Sequence, residues 1–300
     1  MNRVILLGFF VLAMVPELLF GQAFFAMRRQ RNIIGIIGTG TSSYFGELKN
    51  PNDYIDARPN INLGLQLYVS RRISTRAEIT WFQLAGTDTK ANSDRIERNL
   101  SFRANNYEIN VAGLFNLTPN GRRYYQRPGL NLYAFAGLGL IYSNPKAEYQ
   151  GSYVALRPLK TEGASYNAFQ PVIPFGLGLK IKRGPFFNVC IEGGYRLTFT
   201  DYLDDVSIKR YPDPLTLSSD LSRALSDRRK ERDPNYPVGP GVGVRGNPAT
   251  NDGYFLLNVK LEYYLPFNFL SGSSGQQKTF KSKRKAFYRY NKRGGMKRRK

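Results

Sequence analysis

The 300-residue sequence contains no histidine and only one cysteine, Cys190. Without histidine the chain has no Ser-His-Asp triad, no Asp-His pair and no His-ligated metal, so the common hydrolytic and acyl-transfer mechanisms are excluded. A lone cysteine forms no intrachain disulfide, and without a histidine to activate it Cys190 is expected to fill space rather than act as a nucleophile. These absences predict a protein that is not an enzyme and has neither a cofactor nor a metal.

Long apolar runs are also absent, apart from one at the N-terminus. Residues 1–21 place one arginine before this run, and the small residues Gly21 and Ala23 flank a suitable cleavage point. The pattern is typical of a secretory signal peptide. The alternative is an N-terminal membrane anchor, but Pro16 and Glu17 shorten the run below the length that spans a bilayer as a helix. No cysteine lies near the cleavage point, so a lipoprotein is not expected.

Much of the remaining chain alternates between apolar and polar residues in segments too long for an average globular sheet. Residues 187–199 are the clearest case, because Ile191 and Leu197 alternate with a set that includes Glu192 and Arg196. A period of two places the two sets on opposite faces of a strand. An apolar face opposite a charged face is typical of membrane-barrel strands, which have lipid outside and a polar lumen inside.

Eight segments follow this pattern. They are residues 32–45, 60–70, 74–86, 101–117, 131–143, 171–182, 187–199 and 253–265. Short and long connections alternate between them, which predicts an all-β fold, an eight-stranded antiparallel up-and-down transmembrane β-barrel over residues 32–265. An even count places both termini on one side, and long loops lie outside in such barrels. Both termini are therefore expected in the periplasm, and the barrel in outer-membrane lipid.

Charged residues at inward-facing positions distinguish this pattern from that of a soluble barrel. They are Glu78, Glu108, Glu192, Arg196, Lys260 and Glu262. Soluble eight-stranded barrels have apolar interiors, which would not tolerate these groups unpaired. Since eight strands enclose little more than side chains, we expect the charges to form a salt-bridged plug. The alternative is a path for ions.

An acidic run, which holds Asp201, Tyr202, Asp204 and Asp205, follows the strand at residues 187–199. Carboxylate oxygens could bind calcium there, but the spacing lacks the ordered ligand pattern of a known calcium loop. A solvated, hydrogen-bonded turn is therefore the prediction, and a calcium site the alternative.

A short amphipathic helix is predicted later in the same loop, because Leu217, Leu221 and Leu225 fall on one helical face. Ser219 or Asp220 would provide its N-terminal cap. The expected role is packing over the barrel mouth, and the alternative is the docking of a partner.

The C-terminal residues 271–300 hold twelve of the 44 lysines and arginines and no acidic residue. Aromatic residues interleave with this charge, which in a cytoplasmic protein would indicate nucleic acid. Export makes nucleic acid a poor partner, so we predict a disordered periplasmic tail that meets an acidic protein, anionic lipid or cell-wall polymer. Disorder without a partner is the alternative. The candidate binding residues are Lys278, Lys281, Lys283, Arg284 and Lys285.

Several short segments also resemble one family. They are Asn99-Leu100-Ser101-Phe102, Asn144-Pro145-Lys146-Ala147, Leu156-Arg157-Pro158-Leu159, Thr161-Glu162-Gly163, residues 174–178, residues 194–207 and Arg245-Gly246-Asn247-Pro248. In these segments the chain resembles the PorG-like outer-membrane barrels of Bacteroidota, a component of the type IX secretion system. Residues 195–207 are the most specific part of the resemblance.

The resemblance implies a non-enzymatic barrel that associates with a periplasmic ring of lipoprotein and partner subunits. The same family contains barrels with no assigned role. A structural or accessory role in that secretion system is therefore expected, without a small-molecule substrate. The alternative is a small porin-like or ligand-binding outer-membrane barrel.

Overall fold

The computed structural model describes residues 31–49, 58–90, 93–121, 123–237, 239 and 242–266. The signal peptide predicted for residues 1–21 lies outside the described residues. The basic tail at residues 271–300 lies outside them too, and with it the candidate partner-binding residues from Lys278 to Lys285.

Eight long antiparallel strands close into a barrel. They are β1 (Ile33–Phe45), β2 (Arg58–Tyr68), β3 (Ile73–Thr87), β4 (Ser101–Asn116), β5 (Leu130–Tyr142), β8 (Phe169–Arg183), β9 (Phe187–Thr198) and β10 (Gly253–Tyr264). Neighbours in the barrel follow the order of the chain, and β10 pairs with β1 from Ile34↔Tyr264 to Phe45↔Gly253, which closes the circle. The predicted up-and-down architecture and all eight predicted strands are confirmed.

The two faces of the barrel wall differ as the alternation predicts. In β4, for instance, exposed and buried residues alternate from Phe102 to Asn116. Large apolar side chains cover the outside, and Leu138 is 71% exposed. Other exposed members are Ile61, Leu63, Leu65, Ile79, Ile109, Val111, Leu177, Ile191 and Leu257. An apolar surface of this extent outside a charged interior suits lipid rather than water, so the barrel is of the transmembrane type.

The described helices are α1 (Ser93–Ile96), α2 (Asp220–Ser226) and α3 (Arg229–Arg232). None of them has the length and apolar character needed to cross a membrane. The predicted amphipathic helix is confirmed as α2. Its N-cap is Ser219, whose side chain accepts a hydrogen bond of 3.1 Å from the backbone N–H of Ser222.

Residues 144–170 lie between two of the eight predicted segments, so the sequence predicts a loop there; this prediction is wrong for residues 145–155. It contains a hairpin of β6 (Pro145–Tyr149) and β7 (Ser152–Ala155), turning at Gln150 and Gly151, which both have positive φ. The start of β4 extends past the end of β5, and β6 pairs with this free edge at Arg103↔Lys146. Leu225 of α2 belongs to one buried cluster with Ala147 of the hairpin and with Leu156, which directly follows β7, so the helix lies on the hairpin.

The barrel has two dissimilar ends. The loops 46–57, 88–100, 143–168 and 199–252 are all at one end, which we call the long-loop end. The connections 69–72, 117–129 and 184–186 are at the other, the short-turn end. This arrangement brings the loops that carry most of the resembling segments to the same mouth.

Candidate functional site

The middle of the barrel interior is occupied by a network of ion pairs around Glu192. Arg76 reaches across from β3 and binds both carboxylate oxygens of Glu192, at 2.6 and 3.0 Å. Lys260 bridges Glu192 at 2.6 Å and Glu78 at 2.8 Å. Tyr133 donates a further hydrogen bond of 2.8 Å to Glu192. All of these side chains are buried, so each charge depends on its partners rather than on bulk water.

Two further ion pairs lie in the interior. Lys180 is 2.8 Å from Glu262, which also accepts a hydrogen bond of 2.7 Å from the Asn188 amide. Arg196 is 3.5 Å from Glu108. The hydroxyl of Tyr254 donates a 2.7 Å hydrogen bond to the same carboxylate.

The interior ion network therefore includes all six residues that the sequence placed there. It also includes Arg76 and Lys180, which the alternation placed on the inner face but which were not among the candidates. Each of the four interior glutamates has a cation within 3.5 Å. Four cations, Arg76, Lys180, Arg196 and Lys260, match the four glutamates, so the charge of the network is balanced without an additional ion.

An aromatic and cationic cluster closes the lumen at the short-turn end. Arg127 donates to the Asn188 side chain at 2.6 Å and to the backbone carbonyls of Tyr124, Pro185, Gly184 and Phe187 at 2.8 to 3.1 Å. The guanidinium of Arg127 also lies 4.6 Å from the ring centroid of Tyr264. One side chain thus holds two of the short turns against the barrel interior.

An apolar core closes the lumen at the long-loop end. Inward-facing aromatic residues of the strands, such as Phe82 and Tyr254, stack with ring centroids 4.8 Å apart. Loop residues pack onto them. The buried loop members are Leu48, Leu100, Leu203 and Val206. The sequence predicted a polar lumen; at this end a cluster of buried apolar side chains from strands and loops also lies inside the barrel.

The acidic run does not form one site. Asp205, at a φ of 67°, accepts hydrogen bonds from Thr161 and, at 2.6 Å, from the hydroxyl of Tyr166. Tyr202 stacks on Tyr166 with ring centroids 4.7 Å apart. Burial raises the pKa of Asp205 to about 6, although Arg245 acts in the opposite direction. The predicted solvated turn is wrong for Asp205, because its carboxylate is buried and held by these two donors.

The resembling segments converge at the same place. Arg245 forms an ion pair with Glu162 and donates a 3.1 Å hydrogen bond to the backbone carbonyl of Asp205. Glu162 in turn accepts hydrogen bonds from the backbone N–H groups of Ser207 at 3.0 Å and Ile208 at 3.1 Å. Three segments that are distant in sequence are thereby joined in one buried cluster.

Asp204 belongs to a second cluster, with Glu47 and Asp252. Carboxylate oxygens of the three residues all lie within 4.8 Å of one another. We call this group the mouth carboxylates. Burial raises the pKa of Asp204 and that of Asp252 well above the ordinary range, and neighbouring carboxylates add to the effect. Asp201 lies nearby, and burial together with the charge of Glu47 raises its pKa to about 7.

Of the residues that make up this cluster, the sequence singled out only Asp204. Glu47 belongs to another loop, and Asp252 lies at the far end of the same long loop, more than 40 residues from Asp204, so no local pattern marks either residue. The alternative given by the sequence is a calcium site that includes Asp201, Asp204 and Asp205. Asp205 is instead engaged by Thr161 and Tyr166. The oxygen donors that could hold a cation are therefore a different set.

A cavity of about 360 Å³ opens at the long-loop end beside the β6–β7 hairpin. Its lining includes Arg58, Arg103, Lys146 and Tyr153, with Glu148 as the acidic member. The lining has four basic residues and one acidic residue, so the cavity suits an anionic rather than a cationic ligand.

Solved structures similar to the chain are eight-stranded outer-membrane barrels. Neisserial surface protein A is 9% identical, with a TM-score of 0.40, and the alignment covers 78% of this chain and 97% of that one. The N-terminal barrel domain of OprF from Pseudomonas aeruginosa is 9% identical, with a TM-score of 0.36 and the same coverages. The attachment invasion locus protein Ail of Yersinia pestis is 11% identical, with a TM-score of 0.36, covering 78% and 99%.

The strand pairing described above, rather than these distant similarities, supports the barrel assignment. No curated protein matches the chain. A family match does exist, over residues 12–213, which extends from the N-terminal apolar run through β9 into the last long loop. Because this match covers more than half of the 300 residues, the chain belongs to the family described as "Domain of unknown function (DUF6089)".

Proposed function

We propose that the chain is a non-enzymatic structural barrel of the outer membrane that serves as an accessory component of the type IX secretion system. The observation that carries this proposal is the closed interior. Ion pairs fill its middle, an apolar core closes the long-loop end and Arg127 closes the short-turn end. A barrel without a conduit acts through its outer surfaces, which favours a role in assembly.

The short-turn end supports docking to an acidic partner. Its connections 69–72, 117–129 and 184–186 contain no aspartate or glutamate. Arg71, Arg72 and Arg123 are exposed there. If the long loops face outward, as is usual in such barrels, this basic end faces the periplasm together with both termini. Exposed charges of one sign favour association with a partner of opposite charge and make it dependent on salt.

The resemblance to PorG-like barrels gives this partner a class, the periplasmic ring subunits. Glu162, Asp205, Ser207 and Arg245, which belong to three of the segments that carry the resemblance, form a single buried cluster. The resemblance thus rests on residues that contact one another in the fold. It remains a proposal that this fold serves the same machine.

Affinity purification of the barrel from outer membranes tests the docking. We expect ring subunits to co-purify with the wild type, and their recovery to fall when Arg71, Arg72 and Arg123 are all changed to Glu. A matched reversal of three exposed charges at the opposite end, Lys209→Glu with Arg210→Glu and Lys230→Glu, should leave recovery unchanged. Removal of residues 278–300 separates the contribution of the basic tail. Equal loss in both charge-reversal variants would contradict docking through the short turns.

Deletion of the gene tests the place in secretion. Cargo that bears the secretion signal should accumulate in the periplasm of the deletion strain, and normal export would contradict the proposal.

The non-enzymatic character is tested separately with the purified protein. A hydrolytic activity that is lost in Asp204→Asn would contradict it.

The second candidate is a small porin-like or ligand-binding barrel. The cavity lined by Arg103, Lys146 and Tyr153 favours ligand binding at the long-loop end. Planar-bilayer recording distinguishes a porin from a closed barrel, because the ion network should prevent any steady conductance. Binding of an anionic ligand that is weakened by Lys146→Ala would instead favour the ligand-binding alternative.

A further inference from the structure

The mouth carboxylates lie where three adjacent strands end. Glu47 follows β1, Asp252 immediately precedes β10, and Asp204 follows β9. The register places Phe45 opposite Gly253 and Leu197 opposite Gly253, so the three chain segments leave the barrel side by side. Their carboxylate oxygens are brought within 4.8 Å of one another by the closure of the barrel.

Two oxygens of this cluster have no hydrogen-bond donor among the described residues. They are Oδ2 of Asp204, a side chain that is 1% exposed, and Oε2 of Glu47. The remaining oxygens have donors: the hydroxyl of Tyr44 is 2.5 Å from Asp252 Oδ1, and the N–H of Leu203 is 2.9 Å from Asp252 Oδ2. A buried carboxylate oxygen without a donor is costly unless a cation or a proton satisfies it.

The cations of the neighbouring loops form their direct contacts with other groups. Arg98 donates to both carboxylate oxygens of Asp88, at 2.6 and 2.8 Å, and to the backbone carbonyl of Glu47 at 3.2 Å. Arg245 is paired with Glu162. Arg98 and Arg245 thus form their ion pairs with Asp88 and Glu162 and not with the mouth carboxylates. The cluster therefore differs from an ordinary buried salt bridge.

From this geometry we infer that Glu47, Asp204 and Asp252 bind a calcium ion that joins the β1–β2 loop to the β9–β10 loop. Only oxygen donors are present, which suits a hard cation and disfavours zinc or copper. Ligands at 2.3 to 2.6 Å from one ion lie at most about 5 Å apart, a limit that the cluster meets as it stands. Magnesium requires shorter, octahedral contacts and gives up its water reluctantly, so a buried carboxylate set favours calcium.

The inference goes beyond the proposed function and does not depend on it, because a calcium-stabilised mouth suits any barrel of this family. The ion would fix the loops that form the apolar core, since Leu48 lies one residue after Glu47, and Leu203 and Val206 flank Asp204. The expected consequence is that calcium stabilises the long-loop end specifically.

The test uses the full chain, purified in detergent and stripped with EDTA. We expect saturable binding of CaCl₂ by calorimetry and a rise in melting temperature that MgCl₂ at the same concentration does not reproduce. TbCl₃ provides an independent readout, because tyrosine sensitises its luminescence and the Tyr44 hydroxyl contacts Asp252. Added calcium should displace the bound terbium.

Substitutions locate the site. Asp204→Asn and Glu47→Gln should each weaken calcium binding at least about tenfold, which corresponds to about 1.4 kcal/mol. Asp220→Asn, which changes an exposed carboxylate in the same long loop, should bind as the wild type does. If Asp204→Asn does not fold, Glu47→Gln decides, because Glu47 is only partly buried. Absence of saturable calcium binding, unchanged binding in both site variants, or equal affinity for magnesium would overturn the inference.

Discussion

Glu192 in the barrel interior and Asp204 at its mouth are both 1% exposed, but different groups surround them. Glu192 has two cations and a tyrosine hydroxyl within 3.0 Å. Asp204 has a backbone N–H at 2.9 Å on one oxygen and two other carboxylates nearby. The interior thus supplies its own counter-charges, whereas the mouth concentrates negative charge.

This difference follows from where each group lies. An interior charge that faces apolar walls and lies at membrane depth has no access to free ions, so only side chains on other strands can neutralise it. A group at the mouth is made by loops at the aqueous surface, where dissolved cations can reach it. The interior charges neutralise one another, which is consistent with a sealed barrel. The mouth carboxylates instead lie beside one another, which is consistent with the proposed calcium ion.

Breaking the interior network should have the largest effect. Lys260→Met removes the cation shared by Glu78 and Glu192 and leaves buried negative charge uncompensated. We expect a loss of about 3–5 kcal/mol in the free energy of unfolding. Urea titration in detergent or lipid, followed by the fluorescence of Trp81, measures it, since Trp81 is the only tryptophan. Lys230→Met, at an exposed lysine of α3, is the control; equal stability of the two variants would contradict the network's role.

A double-mutant cycle on Lys180 and Glu262 should give the next largest effect. Each single change, Lys180→Met or Glu262→Gln, breaks the 2.8 Å ion pair, while the double variant removes both charges. The double variant should therefore be more stable than the sum of the single effects predicts, with a coupling energy of about 1–3 kcal/mol. The same urea titration provides all four values. Simple additivity would show that the two charges do not interact.

For the mouth carboxylates, we expect the change in the free energy of unfolding to have the opposite sign. In EDTA, Asp204→Asn replaces a buried carboxyl group whose charged form is destabilised by burial and by two neighbouring carboxyl groups, so we expect the free energy of unfolding to rise by about 1 kcal/mol. In calcium the same variant should lose the metal-dependent stabilisation of the wild type. If Asp204→Asn in EDTA lost as much stability as Lys260→Met, the mouth carboxylates would be stabilised by ion pairs as the interior carboxylates are.

The smallest effect is expected at the surface. Asp220 forms an ion pair of 2.7 Å with Arg223, but its side chain is 97% exposed. Such pairs are screened by salt and by water. Asp220→Asn should leave the urea midpoint unchanged within error, with and without calcium. If Asp220→Asn changed the urea midpoint as much as Asp204→Asn does, burial would not explain the effect of Asp204→Asn.

The alternation of the sequence predicted the eight barrel strands, including the orientation of Glu192 and Arg196 within β9. It did not predict the β6–β7 hairpin, because these strands are short and pair with an extension of β4 that only the finished barrel exposes. Nor did it identify ion partners. Arg76 and Glu192 lie 116 positions apart, and their contact depends on which strands face each other across the lumen.

The mouth illustrates the same limit. The sequence singled out Asp204 together with Asp201 and Asp205, but the carboxylates that lie beside it, Glu47 and Asp252, are distant from it along the chain. The location of the barrel's termini, its partners and the role of the basic tail remain predictions.

The sequence by itself determined which side chains face lipid and which face inward, because the two-residue period of a strand is a property of the local backbone. Only the tertiary structure decided which buried charges meet. Closure of the sheet, from β10 back to β1, places Lys260 between Glu78 and Glu192 and sets Glu47 beside Asp252. Contacts of that kind depend on the circumference and stagger of the whole barrel, which no single segment of the chain encodes.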